Sequence, residues 1–234
     1  MDALALIVLL LGVRHGFDAD HLAAIDGLTR ISRRRACGML FSLGHGAVVI
    51  SIALAVSALA GRWQIPRWLE AFGAWTSILC LVLLGAVNFH SGFEARPLAR
   101  WGAASPFSIF LIGAAFAVSF DTFSEAALFS ATAGRLGGWV NALAMGLVFT
   151  IGMLITDGLN GLWIARLLRR AGKARFTGKV LALLSLLVAA LGLAKLCSPE
   201  IAHWSEGKAL TFGFALILAV ALAFPVRIGA GRQG

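Results

Sequence analysis

Two histidines and two aspartates lie within seven consecutive residues near the start of the chain, where segment 14–21 reads RHGFDADH. At about 100° per residue of an α-helix, His15, Asp18 and His21 fall on one face about 120° wide, and Asp20 points roughly the opposite way. Imidazole and carboxylate together suit a borderline divalent cation such as Ni²⁺, Co²⁺ or Zn²⁺, because Mg²⁺ and Ca²⁺ prefer oxygen ligands alone. The segment therefore predicts a metal site.

A competing interpretation needs no metal. It treats His15 and His21 as hydrogen-bonded core histidines and pairs Arg14 with Asp18. Two histidines and two acids so close together in an apolar segment favour the metal site, because each ionisable group is costly to place inside a membrane.

Acids also occur in a later apolar segment, 105–134. Asp121 and Glu125 are one helical turn apart there, with Thr122 beside them. These side chains could supply oxygen ligands or a protonatable carboxyl group. The alternative is that one of the two acids pairs with Arg14.

Two other segments place polar side chains among apolar residues and glycines. His45 lies in segment 37–61, and Asp157 and Asn160 lie in segment 138–166. Glycines beside them allow helices to approach closely or backbone to open beside an ion path. We expect these side chains to contribute to the same site.

The composition identifies a membrane protein. Of the 234 residues, 59% are hydrophobic and only 13% are charged, with a mean hydropathy of +0.88. A soluble domain carries about 25% charged residues. Six of the 11 acids nevertheless fall inside apolar segments, where each costs roughly 2.5–3.5 kcal/mol at a helix centre. They are Asp18, Asp20, Asp26, Asp121, Glu125 and Asp157.

The elements that must position these residues are transmembrane helices of about 20 residues each. Seven apolar segments predict them, at 3–28, 37–61, 69–91, 105–134, 138–166, 178–198 and 209–226. Fourteen of the 20 basic residues then lie on one side, which predicts an N-terminus outside and a C-terminus in the cytoplasm. We predict an all-α, polytopic helix bundle forming one transmembrane transport domain over 1–234. This topology also accounts for the net charge of +9, so no nucleic-acid partner is expected.

Depth in the bilayer supports a shared site. Counted at 1.5 Å per residue from the cytoplasmic end of each helix, His15, His21, His45, Asp121 and Asp157 lie at ~12–24 Å. Four different helices thus bring polar groups to the middle of the membrane.

At these residues the sequence resembles the nickel/cobalt transporter family, often called NiCoT. The family signature RHAxDADHI is matched by RHGFDADHL at 14–22, and its LGHS motif by SLGHGAVV at 42–49. LGFDTATE is matched by VSFDTFSE at 118–125, and a GxxN element by Gly85 and Asn88. GMxxxDTxDG is matched by GMLITDGLNG at 152–161, where Asn160 replaces the second acid and Gly158 the threonine.

The resemblance implies a transport site and its supporting residues. The expected metal-site residues are His15, Asp18, Asp20, His21, His45 and Asp121. The expected supporting polar residues are Asn88, Thr122, Glu125, Asp157 and Asn160. Family members usually have eight helices with the signature in the second, so the resemblance also implies that the usual first helix is missing, in agreement with the outside N-terminus.

The function implied is uptake of Ni²⁺, with Co²⁺ as an alternative cargo, by a multi-pass secondary permease of a bacterial cytoplasmic membrane. No prosthetic group is expected. The sequence contains no GxxxxGK[ST] nucleotide-binding motif, so a gradient or the membrane potential must supply the energy. Two alternatives stay open: an efflux permease of the same superfamily, and a membrane-embedded metalloenzyme, although no HExxH pattern occurs.

Overall fold

The computed structural model describes residues 2–58, 67–90, 105–118, 138–171 and 175–223. These parts of the chain form α-helices and contain no strand, which confirms the predicted all-α fold. The helices are α1 (Asp2–Gly16), α2 (Ala19–Ser32), α3 (Cys37–Ala58), α4 (Arg67–His90), α5 (Pro106–Phe116), α6 (Trp139–Ala171), α7 (Arg175–Cys197), α8 (Pro199–Ser205) and α9 (Ala209–Ala223).

The prediction of one continuous helix over 3–28 is wrong, because the chain breaks between α1 and α2. Gly16, a poor helix residue, ends α1, and Asp18 has extended backbone angles (φ −63°, ψ 140°) as the N-cap of α2. The backbone N–H groups of Phe17 and Asp18 still donate to the carbonyl oxygens of Arg14 and His15, so the break is a tight turn. It separates the two histidines of the signature onto different helices.

Helix α2 is the central element of the bundle. Ten of its 14 residues are buried, including His21, Asp26 and Thr29. It packs against α3, α4, α6, α7 and α9. A helix with this many polar groups would be unfavourable facing lipid, and its neighbours shield it on all sides.

Helix α6 packs along both α1 and α3 through small residues. A Cβ at Gly12 would collide with the carbonyl group of Phe149, and a Cβ at Gly38 would collide with the carbonyl group of Asp157. Glycine allows the backbones to approach closely at both points. This approach brings the acid of α6 next to α3.

The outer surface is apolar, as a lipid-facing surface must be. Exposed side chains include Trp68, Phe107 and Leu222. Helices α3, α4, α6 and α7 are long and apolar enough to cross a membrane, and α8 with α9 makes a fifth candidate span, bent by 79°. The chain is therefore an integral, multi-pass membrane protein, as predicted.

The predicted helix over 105–134, the number of spans and the orientation are not fully covered by the described residues. The predicted helix over 105–134 is helical only to Phe116 in the described part, and residues 119–137 lie outside the described residues. The seven-span count and the orientation stay predictions.

Candidate metal centre

Three histidines from three helices meet in the interior. His15 lies at the end of α1, His21 in the first turn of α2 and His45 in the middle of α3, with exposed fractions of 5%, 2% and 0%. Their ring centroids are 4.6–5.1 Å apart. One ligand atom from each lies within 4.8 Å of the other two.

The distances suit one metal ion. The Nε2 atoms of His15 and His45 are 3.3 Å apart. Two imidazole nitrogens that each lie about 2.0–2.1 Å from the same ion are separated by about 3–4 Å. We call these three side chains, His15, His21 and His45, the histidine cage.

The break between α1 and α2 and the glycines of α3 position the cage. Gly44 and Gly46 flank His45, and a Cβ at either position would collide with α5 or with Thr150 of α6. His45 is therefore held between two neighbouring helices. Because the break allows α2 to start a new helix, the rings of His15 and His21 approach each other edge to face.

Carboxylates contact the far nitrogens of two cage histidines. Asp18 Oδ2 lies 3.3 Å from His15 Nδ1, and Asp157 Oδ2 lies 3.4 Å from His21 Nδ1. Metal-binding histidines commonly donate their second N–H to a carboxylate, which fixes the tautomer and leaves Nε2 for the ion. Asp18 and Asp157 are placed to orient imidazoles in this way.

Asp157 is the most enclosed acid of the site. It is fully buried, and the Ser42 hydroxyl donates to its Oδ2 over 2.6 Å. Within the described part of the chain, its Oδ1 has no hydrogen-bond partner. A buried carboxylate oxygen is costly to leave unpaired, so Oδ1 is suited to a passing cation or a water molecule.

The remaining predicted residues lie elsewhere. The Asp20 carboxylate accepts from the backbone N–H of His21 over 2.9 Å. Asn88 accepts from the Arg30 guanidinium over 2.9 Å, and Asn160 donates to Asp26 over 3.0 Å. The structure thus engages Asn88 and Asn160 in contacts other than the histidine cage. The predicted residues Asp121, Thr122 and Glu125 lie outside the described residues.

Three residues at the site were missed from the sequence. Ser42 bonds Asp157, and the rings of Phe41 and Phe149 pack against His21 and His15 at centroid distances of 5.2 and 5.4 Å. Ser42 stands three residues before His45, so helical spacing could have identified it. Nothing in the local sequence distinguishes the two phenylalanines from other apolar residues.

A buried cage of imidazoles with carboxylates behind it, enclosed by apolar helices, is an arrangement that could hold a divalent metal ion. Comparison with known proteins agrees: residues 2–101 match the family model described as high-affinity nickel-transport protein. The resemblance to the nickel/cobalt transporters is therefore confirmed.

Individual relatives extend the match. A high-affinity nickel transport protein of Cupriavidus necator is 30% identical over 205 residues, covering 68% of this chain and 58% of that protein. The nickel transporter NixA of Staphylococcus aureus is 28% identical over 194 residues, 64% of this chain and 57% of its own length. The cobalt transport protein NhlF of Rhodococcus rhodochrous is 50% identical over 52 residues, 20% of this chain and 15% of that protein.

The chain spans between half and two thirds of the length of the nickel-transport relatives named here. No solved structure was found to match it.

Proposed function

We propose that the protein is a secondary transporter that moves Ni²⁺, with Co²⁺ as an alternative cargo, into the cell across a bacterial cytoplasmic membrane. The observation that carries the proposal is the histidine cage, in which three buried imidazoles from α1, α2 and α3 converge. The nickel and cobalt transport relatives support this choice of cargo.

The chemistry of the cage suits an ion that must lose water inside a membrane. Neutral imidazole nitrogens replace the water ligands of a borderline cation. Asp18 and Asp157 place negative charge behind two of the rings, which offsets the charge of the ion in a medium of low dielectric constant. Hard cations such as Mg²⁺ bind nitrogen poorly and hold their water tightly, so the cage disfavours them.

The break after α1 contributes a further element of the mechanism. His15 lies in the last turn of α1, where the helix dipole favours positive charge. Discontinuous helices that meet a substrate near the middle of the membrane are a recurring feature of secondary transporters. Here the break presents two histidines from helix ends, and small rotations of either helix would change their separation and release the ion.

Uptake of nickel into proteoliposomes tests the proposal. We expect His15→Ala and His21→Ala to abolish uptake, because each removes one ligand from the cage. His203→Ala is the matched control: this histidine is 85% exposed and lies on α8, so uptake should be unchanged. Wild-type protein that binds nickel but moves none would contradict the proposal and favour a membrane-embedded enzyme.

The direction of transport needs a cellular measurement. If the protein imports nickel, deleting its gene causes nickel starvation, which extra nickel relieves. Sensitivity to excess nickel after deletion would instead identify the efflux alternative.

A further inference from the structure

A further buried acid lies in the interior of the helix bundle, away from the cage. Asp26 of α2 is 2% exposed, and its Oδ1 accepts a hydrogen bond from the Asn160 side chain of α6 over 3.0 Å. Asn160 is also buried, with 8% exposed. Among the described residues, Asp26 has no cationic partner within ion-pair distance.

A buried carboxylate without a cation is unstable in the charged form, because burial removes its water. The nearest arginine on the same helix, Arg30, donates to the side-chain and main-chain oxygens of Asn88 over 2.9 and 3.3 Å. Arg30 therefore binds α4 and does not neutralise Asp26. A proton can neutralise the carboxylate in its place.

Asn160 is chemically suited to a carboxyl group that gains and loses a proton. Its NH₂ group can donate to the ionised carboxylate, and its carbonyl oxygen can accept from the protonated form. A positively charged partner would hold Asp26 ionised, and a second acid would share its proton. Asparagine at this position permits both states.

The groups that face Asp26 from neighbouring helices leave this assignment intact. Helix α3 contributes the buried thiol of Cys37, and α6 contributes neutral Asn160, with Asp157 one turn earlier. Helix α4 contributes Asn88, already bonded to Arg30. Helix α9 carries no charged residue, and the lysines of α7 are exposed.

Asp26 and Asn160 lie on the same two helices as His21 and Asp157, close to the cage. His21 and Asp26 lie on α2, five residues and therefore about 7.5 Å apart along its axis. Asp157 and Asn160 lie one turn apart on α6, so the same two helices contact each other at both levels. Charges at this separation interact strongly in a medium of low dielectric constant.

We propose that Asp26 carries a proton that is linked to metal binding: it is protonated when the cage is empty and ionised when the cage holds a divalent ion. This inference rests on the proposed function, since it requires metal at the cage. Because linkage is reciprocal, loss of the Asp26 proton strengthens metal binding by the same factor that metal weakens proton binding.

Proton release on nickel binding tests the inference. Purified protein in weakly buffered detergent is titrated with nickel, and a pH indicator reports the protons released per ion bound. We expect Asp26→Asn to release about one proton fewer than wild type, and Asp26→Glu to restore it. Ser185→Ala is the control, because this buried hydroxyl bonds only within α7 and should leave the count unchanged. Equal release by Asp26→Asn and wild type would overturn the inference.

Infrared difference spectroscopy tests the protonation of Asp26 even if Asp26→Asn binds no nickel. Metal-free wild type should show the carbonyl stretch of a protonated carboxyl group, and Asp26→Asn should lack it. Asn160→Asp should keep that band to higher pH, by at least about one pH unit, because two adjacent carboxyl groups share a proton. Absence of the band in wild type, or two nickel ions per wild-type molecule against one in Asp26→Asn, would overturn the assignment. Failure of wild type to bind any nickel would overturn the proposed function and the linkage with it, whereas absence of the band in wild type that does bind nickel would overturn the protonation of Asp26 alone.

Discussion

At the scale of single residues, the two nitrogens of the His15 imidazole have different neighbours. Its Nδ1 faces Asp18 over 3.3 Å, and its Nε2 faces His45 over 3.3 Å. His21 likewise presents Nδ1 to Asp157. A carboxylate behind a ring fixes the ring's tautomer and orientation before any ion arrives, which lowers the entropy lost on binding. Residues that hold these carboxylates should therefore control metal affinity.

Ser42 gives the clearest test of this dependence. Ser42→Ala removes the 2.6 Å hydrogen bond to Asp157 and leaves that carboxylate free to turn away from His21. We expect nickel affinity, measured by calorimetry on purified protein, to fall by about ten- to a hundredfold. Ser51→Ala is a matched control on the same helix, since Ser51 is exposed and bonds only the Ala47 carbonyl. Equal affinities for the two variants would show that Ser42 does not support the site.

At the scale of helices, the apolar segments predicted most elements well, but the break between α1 and α2 was not predicted. Hydropathy reports where a segment is apolar, and segment 3–28 is apolar on both sides of Asp18. Gly16 and the N-cap Asp18 permit a break at this point, but the contacts that surround it come from distant parts of the chain: a Cβ at Gly213 of α9 would collide with the carbonyl oxygen of Phe17, and Gly16 packs against Thr156 and Asp157. The helix propensity of the local sequence cannot predict contacts with residues that are far away along the chain.

The sequence also did not predict which helices lie side by side. Depth along the membrane suggested that His15, His21 and His45 lie at a common level, and the structure brings these three together. Depth says nothing about which side chains are neighbours at that level, and motif resemblance, which suggested Asn88 and Asn160 as supporting residues, does not reveal that they bond Arg30 and Asp26. Distinguishing such neighbours requires the packing of α2 against α4 and α6.

The packing of α3 on α6 yields a prediction for an element. In Gly38→Ala the new Cβ would collide with the Asp157 carbonyl group, so the helices must separate at the acid that contacts His21. We expect a loss of stability of about 1–3 kcal/mol, measured by unfolding in detergent, together with weakened nickel binding. Gly158→Ala on α6 is the control, because its Cβ would meet only the flexible Met39 side chain at 3.3–3.4 Å. If both variants behave like wild type, close approach of α3 and α6 is not what positions Asp157.

At the scale of the whole molecule, a metal ion in the cage would join elements that are far apart in sequence. The proposed ligands come from α1, α2 and α3, and Asp157 adds α6 behind His21. An ion that binds only the folded bundle stabilises it by about 2.7 kcal/mol at a free concentration of about 100 times Kd. Nickel should therefore raise the unfolding temperature of purified protein, a chelator should reverse the rise, and Mg²⁺ should produce none, because the cage offers nitrogen. His45→Ala should lose the nickel effect, whereas His203→Ala should retain it, since His203 is exposed on α8. A rise of the same size in His45→Ala would place the stabilising ion outside the cage and contradict the site derived from it.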